Sequence, residues 1–374
     1  MKKKFGADSK SVLQAKFDAQ KIAFGPVMFQ AAKALRDLGI LELLRKKGND
    51  GIGIGIEAIA KELNLSVYGV KVLLEAGISL EVVILKDKKF ILTKTGYFII
   101  SDELTRVNMD FVNDVNYQGM FHLQDAIKTG KPRGLQVFGE WETIYEALAN
   151  AELPEKVLES WFRFDHFYSD IAFPQVLPLI FKNGSDRILD IGGNTGKFAI
   201  KCAEFSKKVK VTILDLPGNL KVAKKNAEEK GFADRISGIP CNLLDPSVAF
   251  PKNYKIIWMS QFLDCFSQQE ISHLLKRAYN AMNTDSELYI LEPYWNNQRF
   301  EASTYSLHAT SLYFTCMANG HSQMYHTDDM KKLLEKTKLY VDQEYTDIGV
   351  GHTLYRCKKQ SERKASKALA AHKN

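Results

Sequence analysis

Apolar residues recur three and four apart along most of the first hundred positions, which predicts a run of amphipathic helices. Ile22, Phe24, Val27, Phe29 and Ala32 lead into Leu35, Leu38, Ile40, Leu41, Leu43 and Leu44. A second set comprises Ile56, Ile59, Ala60 and Leu63, and a third Val67, Val70, Val72, Leu73 and Leu74. A basic, hairpin-like stretch from Leu85 to Leu92 follows, so the order helix, helix, helix, wing predicts a winged helix-turn-helix. From Phe111 to Asp170 the pattern stays helical and becomes aromatic, with Phe121, Trp141, Tyr145, Trp161, Phe162, Phe164, Phe167 and Tyr168. These rings suit an interdomain core and also a wall for a flat ligand.

At Ser185 the periodicity changes. Short apolar runs that read as buried strands (Arg187 to Ile191, Val209 to Asp215, Ile236 to Pro240, Lys255 to Ser260, Leu288 to Glu292) now alternate with amphipathic helices. Such alternation predicts an α/β, doubly wound sheet, whose ligands bind beyond the carboxyl ends of the strands. The expected division is therefore a winged-helix domain over 1–110, a helical linker and wall over 111–170, a sheet domain over 171–358 and a basic tail over 359–374.

The 374 residues are 45% hydrophobic and 25% charged, an ordinary globular composition. No apolar run is long enough to span a bilayer, and Lys2, Lys3 and Lys4 precede no apolar signal core, so a cytoplasmic protein without a membrane partner is expected. The five cysteines (Cys202, Cys241, Cys265, Cys316, Cys357) stand far apart, which favours reduced thiols over a zinc site or a disulfide framework. No histidine–carboxylate cluster has ligand spacing, so no metal is expected. The net charge of +7 owes much to the tail, where Lys358, Lys359, Arg363, Lys364, Lys367 and Lys373 face only Glu362. Nucleic acid is not implied either, because between Ser66 and Val83 the helix that would read DNA carries Lys71 alone against Glu75 and Glu81. Dimerisation through apolar helix faces is the expected role of that module.

Chemistry concentrates after the first strand, in RILDIGGNTGKF. Asp190 closes the strand and Gly192, Gly193, Asn194, Thr195 and Gly196 form a loop that opens a helix. Asn194 breaks the G-x-G-x-x-G of a nicotinamide site, and no Gly-Lys-Ser/Thr ends the loop as in a P-loop. An acid beside such a loop repels pyrophosphate but suits a ligand with an ammonium end, as S-adenosylmethionine has. Asp215, 19 residues beyond Gly196, ends the second strand where a carboxylate accepts both ribose hydroxyls. Both aspartates would alternatively serve only to cap the turns that follow them.

The segments LDIGGNTGKFA, LDLPGNL, DRISGIPCNLLDP, YILEP, HTDDMKKLLEKTKL and GHTLYRC resemble the class I O-methyltransferases of the caffeic-acid and hydroxyindole type, over roughly residues 17 to 357. The resemblance implies a Rossmann-like methyltransferase sheet behind an N-terminal winged-helix dimerisation domain, a homodimer, S-adenosylmethionine as cofactor and S-adenosylhomocysteine as product. By position it implies that Asp190 and Gly192 to Gly196 surround the methionine part, that Asp215 and Leu216 hold the ribose, and that Asn242 and Leu243 clamp adenine. Ser260 stands where many relatives have lysine, and Gln261 where they have tryptophan.

Relatives read leucine-histidine-aspartate-tryptophan-serine after the fourth strand, whereas this chain has Leu263, Asp264, Cys265, Phe266 and Ser267. Asp264 thus takes the place of the base. An aspartate near 3.9 is a poor base for a phenol near 10 unless burial and a second acid, Glu292, raise it. His321 and His166 are the other candidate bases. Tyr313 and Met317, in a stretch that roofs the acceptor pocket in relatives, are expected with His166 and Phe167 to contact an aromatic acceptor. Methyl transfer to a hydroxyl oxygen is the leading expectation. Transfer to a ring carbon or carboxylate, a degenerate cofactor-binding enzyme and a small-molecule-sensing regulator stay open.

Overall fold

The computed structural model describes residues 8–48 and 51–360. The lysines at 2 to 4 and the basic tail from 361 onward lie outside the described residues. The chain forms two compact units, dividing between Val112 and Asn113.

In the first unit, α1 (Val12–Ala23), α2 (Gly25–Asp37), α3 (Ile40–Lys47), α4 (Ile56–Leu63) and α5 (Val67–Ser79) precede a hairpin of β1 (Val83–Lys86) and β2 (Lys89–Leu92). Leu35, Ile40, Leu41, Leu44, Ile59 and Leu74 form its core, all buried as their helical spacing requires. Ser11 and Ser66 cap α1 and α5 by accepting from the amides of Gln14 and Gly69. Asp87 and Lys88 make the wing's two-residue turn, both at positive φ (48° and 59°), which matches the twist of paired strands. Ile54 bridges Phe90 beside the wing. On α5, Lys71 is paired with Glu75 at 3.9 Å, leaving no net positive charge for phosphate. The unit ends with α6 (Lys94–Ser101) and α7 (Glu103–Phe111), the latter tied to α2 by the Arg36–Asp110 ion pair. Helix α1 buries none of its residues, and Val12, Leu13, Phe17 and Ile22 are exposed.

The second unit begins with α8 (Leu123–Thr129), α9 (Ile144–Ala149), α10 (Glu155–Asp170) and α11 (Phe173–Ile180). The continuous helical pattern expected up to Asp170 is broken into short pieces, because Gly130 takes φ 63°, Pro132 follows it, and Pro154 starts α10 afresh. Then follow β3 (Arg187–Ile191), α12 (Lys197–Phe205), β4 (Lys210–Asp215), α13 (Pro217–Glu229), β5 (Ile236–Pro240), β6 (Ile256–Ser260), α14 (Gln268–Ala281) and β7 (Glu287–Glu292). After α15 (Glu301–Tyr313) and α16 (Thr327–Lys336), β8 (Leu339–Ile348) and β9 (His352–Lys359) complete a seven-stranded sheet of order β5-β4-β3-β6-β7-β9-β8. The pairs among β3 to β7 are parallel and those made by β9 antiparallel.

The strand order reverses between β3 and β6, which opens a crevice at their carboxyl ends. The sheet is covered on both faces. One core gathers Leu189, Met259, Leu274 and Tyr355, and the other Ile188, Phe198, Val211 and Trp258, with Phe198 stacked on Trp258 at 4.2 Å. No described helix is long and apolar enough to cross a membrane.

Candidate active site

The crevice opens into a cavity of about 360 Å³. The β3–α12 loop forms its floor. Gly192 (φ 73°) turns the chain where a Cβ would stand 2.3 Å from the Phe262 ring, and a Cβ on Gly193 would stand 2.6 Å from Asp190 Oδ2. Only glycine admits both the left-handed backbone and the close approach. Asn194, also at positive φ (48°), donates its amide to Asp215 Oδ2 at 2.8 Å. Asp215 Oδ1 accepts from the Leu216 amide and from Asn219 Nδ2, each at 2.7 Å. Asp215 therefore caps this turn and still keeps lone pairs beyond these three donors with which to accept from a ligand. Asn242 accepts the Leu244 amide with its Oδ1, which leaves its NH2 free to donate, and Arg277 steadies this loop by donating to the Leu243 carbonyl at 2.7 Å.

Asp190 is 2% exposed, and its Oδ2 has no hydrogen-bond partner among the described residues. Burial, with Asp215 adding to it, pushes its carboxyl up to about 8. A glycine cradle above an orphaned buried acid fits a cationic small molecule whose polar end approaches the backbone closely. S-adenosylmethionine is such a molecule.

At the other end of the cavity, Asp264 sits in the short turn Leu263–Cys265 after β6 and is 6% exposed. Behind it Glu292, the last residue of β7, accepts the amides of Phe262 (3.0 Å) and Leu263 (2.8 Å) with Oε1, while its Oε2 is unpartnered among the described residues. Glu292 thus fixes the turn that carries Asp264. Burial pushes Asp264 up to about 7, and burial together with the Asp264 charge pushes Glu292 well above the usual carboxylate range. Asp264 therefore titrates near neutral pH.

Aromatic side chains wall the cavity. Tyr145, Trp161, Phe162, Phe164 and Tyr168 come from α9 and α10, Phe262 and Phe266 from the turn, and Tyr313 and Phe314 from the end of α15. Trp161 Nε1 donates to the Tyr313 hydroxyl at 2.7 Å, tying α10 to α15. Asn319 bridges its own loop to the turn, donating to the Cys265 carbonyl at 2.7 Å and accepting the amides of His321 and Ser322.

Of the residues expected at the site, Gly192, Asn194, Asp215, Leu216, Asn242, Leu243, Asp264, His321 and Tyr313 line the cavity. Asp190, Gly193, Gly196, Ser260 and Glu292 do not. They lie in or beneath the loops that form it, and Gly196 serves as the left-handed N-cap of α12. The expected acceptor wall is corrected at three positions. On α10 the 3.6-residue period turns Phe162, Asp165 and Tyr168 to the cavity and carries His166 and Phe167 off that face, with His166 Nε2 placed 3.5 Å from Thr195 Oγ1. Met317 is fully buried in a widened turn and fills space left by the absent side chains of Gly119 and Gly134. His321 pairs with Glu270 at 3.2 Å, an acid already used to cap α14. Sequence reasoning missed Asp165, Asn319 and Glu270, and only helix phase could have pointed to the first.

All five cysteines are free, and the described residues hold no His, Cys, Asp and Glu grouping fit for a metal.

Two sequence families match this chain. A Dimerisation2-like domain covers residues 16–90, and an O-methyltransferase domain covers residues 120–338, more than half of the chain. The chain belongs to this O-methyltransferase family. It is an S-adenosylmethionine-dependent methyltransferase, and S-adenosylmethionine is its cofactor. Among its relatives is the L-tyrosine C(3)-methyltransferase of Streptomyces lavendulae, 24% identical over 74% of each chain. The acetylserotonin O-methyltransferase of Macaca mulatta is 23% identical over 74% of this chain and 79% of its own. The fold is shared with the S-adenosylmethionine-dependent methyltransferase SibL, at a TM-score of 0.71 and 22% identity over 91% of this chain and 98% of that one.

Proposed function

We propose that this methyltransferase transfers a methyl group to the hydroxyl oxygen of a small aromatic acceptor, with Asp264 as the base. The observation that carries the proposal is the position of Asp264, buried among the aromatic side chains of the cavity in a turn that Glu292 holds through the Phe262 and Leu263 amides. S-adenosylmethionine, when bound, supplies an electrophilic sulfonium methyl. Asp215 and Leu216 hold its ribose, Asn242 and Leu243 its adenine, and Asp190 supports the glycine loop around its methionine end.

The aromatic walls hold the acceptor ring flat and exclude water, which converts binding into orientation. Asp264 accepts the hydroxyl proton as the oxygen attacks the methyl in line. A phenol near 10 facing a base near 7 leaves about three powers of ten, or about 4 kcal/mol, to be offset in the concerted step. Glu292 acts as a positioning residue through the Phe262 and Leu263 amides. The exposed apolar face of α1, in a module of the Dimerisation2-like type, supports a homodimer, and a cytoplasmic location fits the composition.

Transfer to a ring carbon is the second reading, favoured by the similarity to a tyrosine C(3)-methyltransferase. Carboxylate methylation is disfavoured because no lysine or arginine lines the cavity among the described residues. The test is calorimetric titration with S-adenosylmethionine, followed by proton NMR of products from a panel of phenols. Micromolar binding that is lost in Asp215→Ala, together with an O-methyl product, is expected. A ring-methyl product would replace the first reading by the second, and absence of cofactor binding would overturn both.

A further inference from the structure

The charges lining the cavity are one-sided. Glu142, Glu146, Asp165, Asp215, Asp264 and Glu270 face it, and the only basic side chain among the lining residues is His321, already paired with Glu270. Asp215 belongs to the cofactor end, Glu270 caps α14, and Glu142 and Glu146 are exposed at the rim. Asp165 and Asp264 remain within. Neither forms an ion pair among the described residues. Asp165 receives one long contact from Asn194 Nδ2 at 3.4 Å, and Asp264 has as its side-chain donor only the Cys265 thiol at 3.5 Å. Lys197, whose charge acts on Asp165, is engaged by Asp170 at 2.7 Å. The buried Tyr145 hydroxyl, which also lines the cavity, lacks a nitrogen or oxygen partner among the described residues. Unsatisfied polar groups in an otherwise aromatic cavity mark where a ligand's own polar groups belong.

Building on the methyltransferase reading above, we propose that the acceptor is a phenol bearing an alkylammonium group without a compensating carboxylate, and that Asp165 is the counter-ion for that ammonium. An anionic acceptor would enter a cavity whose lining, among the described residues, is acidic and holds no lysine or arginine, whereas an ammonium gains a charge-assisted hydrogen bond in a dry site. The division of labour follows. Asp165 anchors the ammonium end and Asp264 takes the phenolic proton. The nitrogen, held protonated, has no lone pair to attack with, so the methyl goes to the phenol and not to nitrogen.

An alkylammonium is also present on the methionine end of the cofactor, and the experiment separates the two sources. The protein is first saturated with S-adenosylhomocysteine, which occupies the cofactor's own ammonium site. It is then titrated with tyramine, 4-ethylphenol and 3-(4-hydroxyphenyl)propanoate, ligands alike in ring and chain. Tyramine is expected to bind at least tenfold more tightly than 4-ethylphenol, and the propanoate more weakly than either. In Asp165→Asn the tyramine advantage falls to within about threefold while S-adenosylhomocysteine affinity is unchanged, and Asp165→Glu restores much of it, which excludes simple misfolding. Equal binding of the three ligands, binding of none, or a preference for the propanoate would overturn the proposal and leave the methyltransferase reading intact. A tenfold loss of S-adenosylhomocysteine affinity in Asp165→Asn with the tyramine preference kept would assign Asp165 to the cofactor and likewise overturn it. Failure of the unmodified protein to bind S-adenosylhomocysteine would instead remove the cofactor site and this inference with it.

Discussion

Replacing Asp190 by asparagine keeps the shape of the side chain and removes its charge. In the folded protein burial raises this carboxyl from 3.8 to about 8. The native state therefore retains a proton that the unfolded chain releases above 3.8. Its stabilising effect is fully present below 3.8 and is lost steadily as pH rises to about 8, beyond which the loss is complete. Each pH unit inside that window removes about 1.4 kcal/mol, so the interval from pH 5 to pH 7 removes about 3 kcal/mol from the native protein and nothing from the variant. At 2% exposure solvent screening is slight, though local relaxation makes the figure a ceiling.

The assay is thermal and urea denaturation of cofactor-free protein at pH 5, 6 and 7. Asp190→Asn is expected to gain on the native protein across that range, by about 6–12 °C at about 2–4 °C per kcal/mol. Any fixed cost of burying the amide cancels from this trend, as do the other titrating groups. In parallel, S-adenosylmethionine affinity falls about tenfold, since the acid beneath the glycine loop is held there for binding at the expense of stability. A difference between the two proteins that does not change with pH would show that Asp190 is ionised and compensated in the native state, and would refute the reasoning.

Asp264→Asn should lower kcat at least a hundredfold without changing cofactor affinity. In the native enzyme kcat should rise with pH through about 7, where the base loses its proton, and this limb should vanish from the residual activity of the variant. Gly192→Ala places a methyl group against the Phe262 ring at a backbone φ of 73°, and should cost about 1–3 kcal/mol in urea denaturation and most of the cofactor affinity. Leu13 and Phe17 lie one turn apart on exposed α1, so Leu13→Glu combined with Phe17→Glu should shift sedimentation from dimer to monomer while helix content is kept.

The core strands were legible because each is a short, largely apolar run set between amphipathic helices or polar loops. Residues 187–191 and 236–240 form strands with the expected limits, and β6 and β7 differ from expectation by one residue. The two antiparallel strands were not. In β8, Asp342 and Glu344 interrupt the apolar pattern, and β9 earns its burial from insertion between β7 and β8, a relation of tertiary structure. At the site, residues on loops that follow strands were readable from spacing, since the sheet itself delivers them to one edge. Those on α10 were not, because rings occur on several faces of that helix and sequence alone does not say which face meets the cavity. Phe167 was expected there and Asp165 was not, although they are two residues apart.

The aspartate that stands where the resemblance implies a histidine is explained by the same surroundings. Burial brings Asp264 to about 7, close to the ordinary histidine value of about 6.5, so proton affinity alone does not distinguish the two residues. Their charges do. A histidine base passes from neutral to cationic when it takes a proton, whereas Asp264 passes from anionic to neutral. In a cavity that already faces Asp165 and Glu270 and, among the described residues, is lined by no lysine or arginine, protonation of Asp264 relieves repulsion at the moment the methyl moves. A histidine at this position would instead become a second cation competing with an ammonium-bearing acceptor for Asp165. The departure from the family pattern and the one-sided charge of the lining therefore have one physical explanation, a site built around a cationic acceptor.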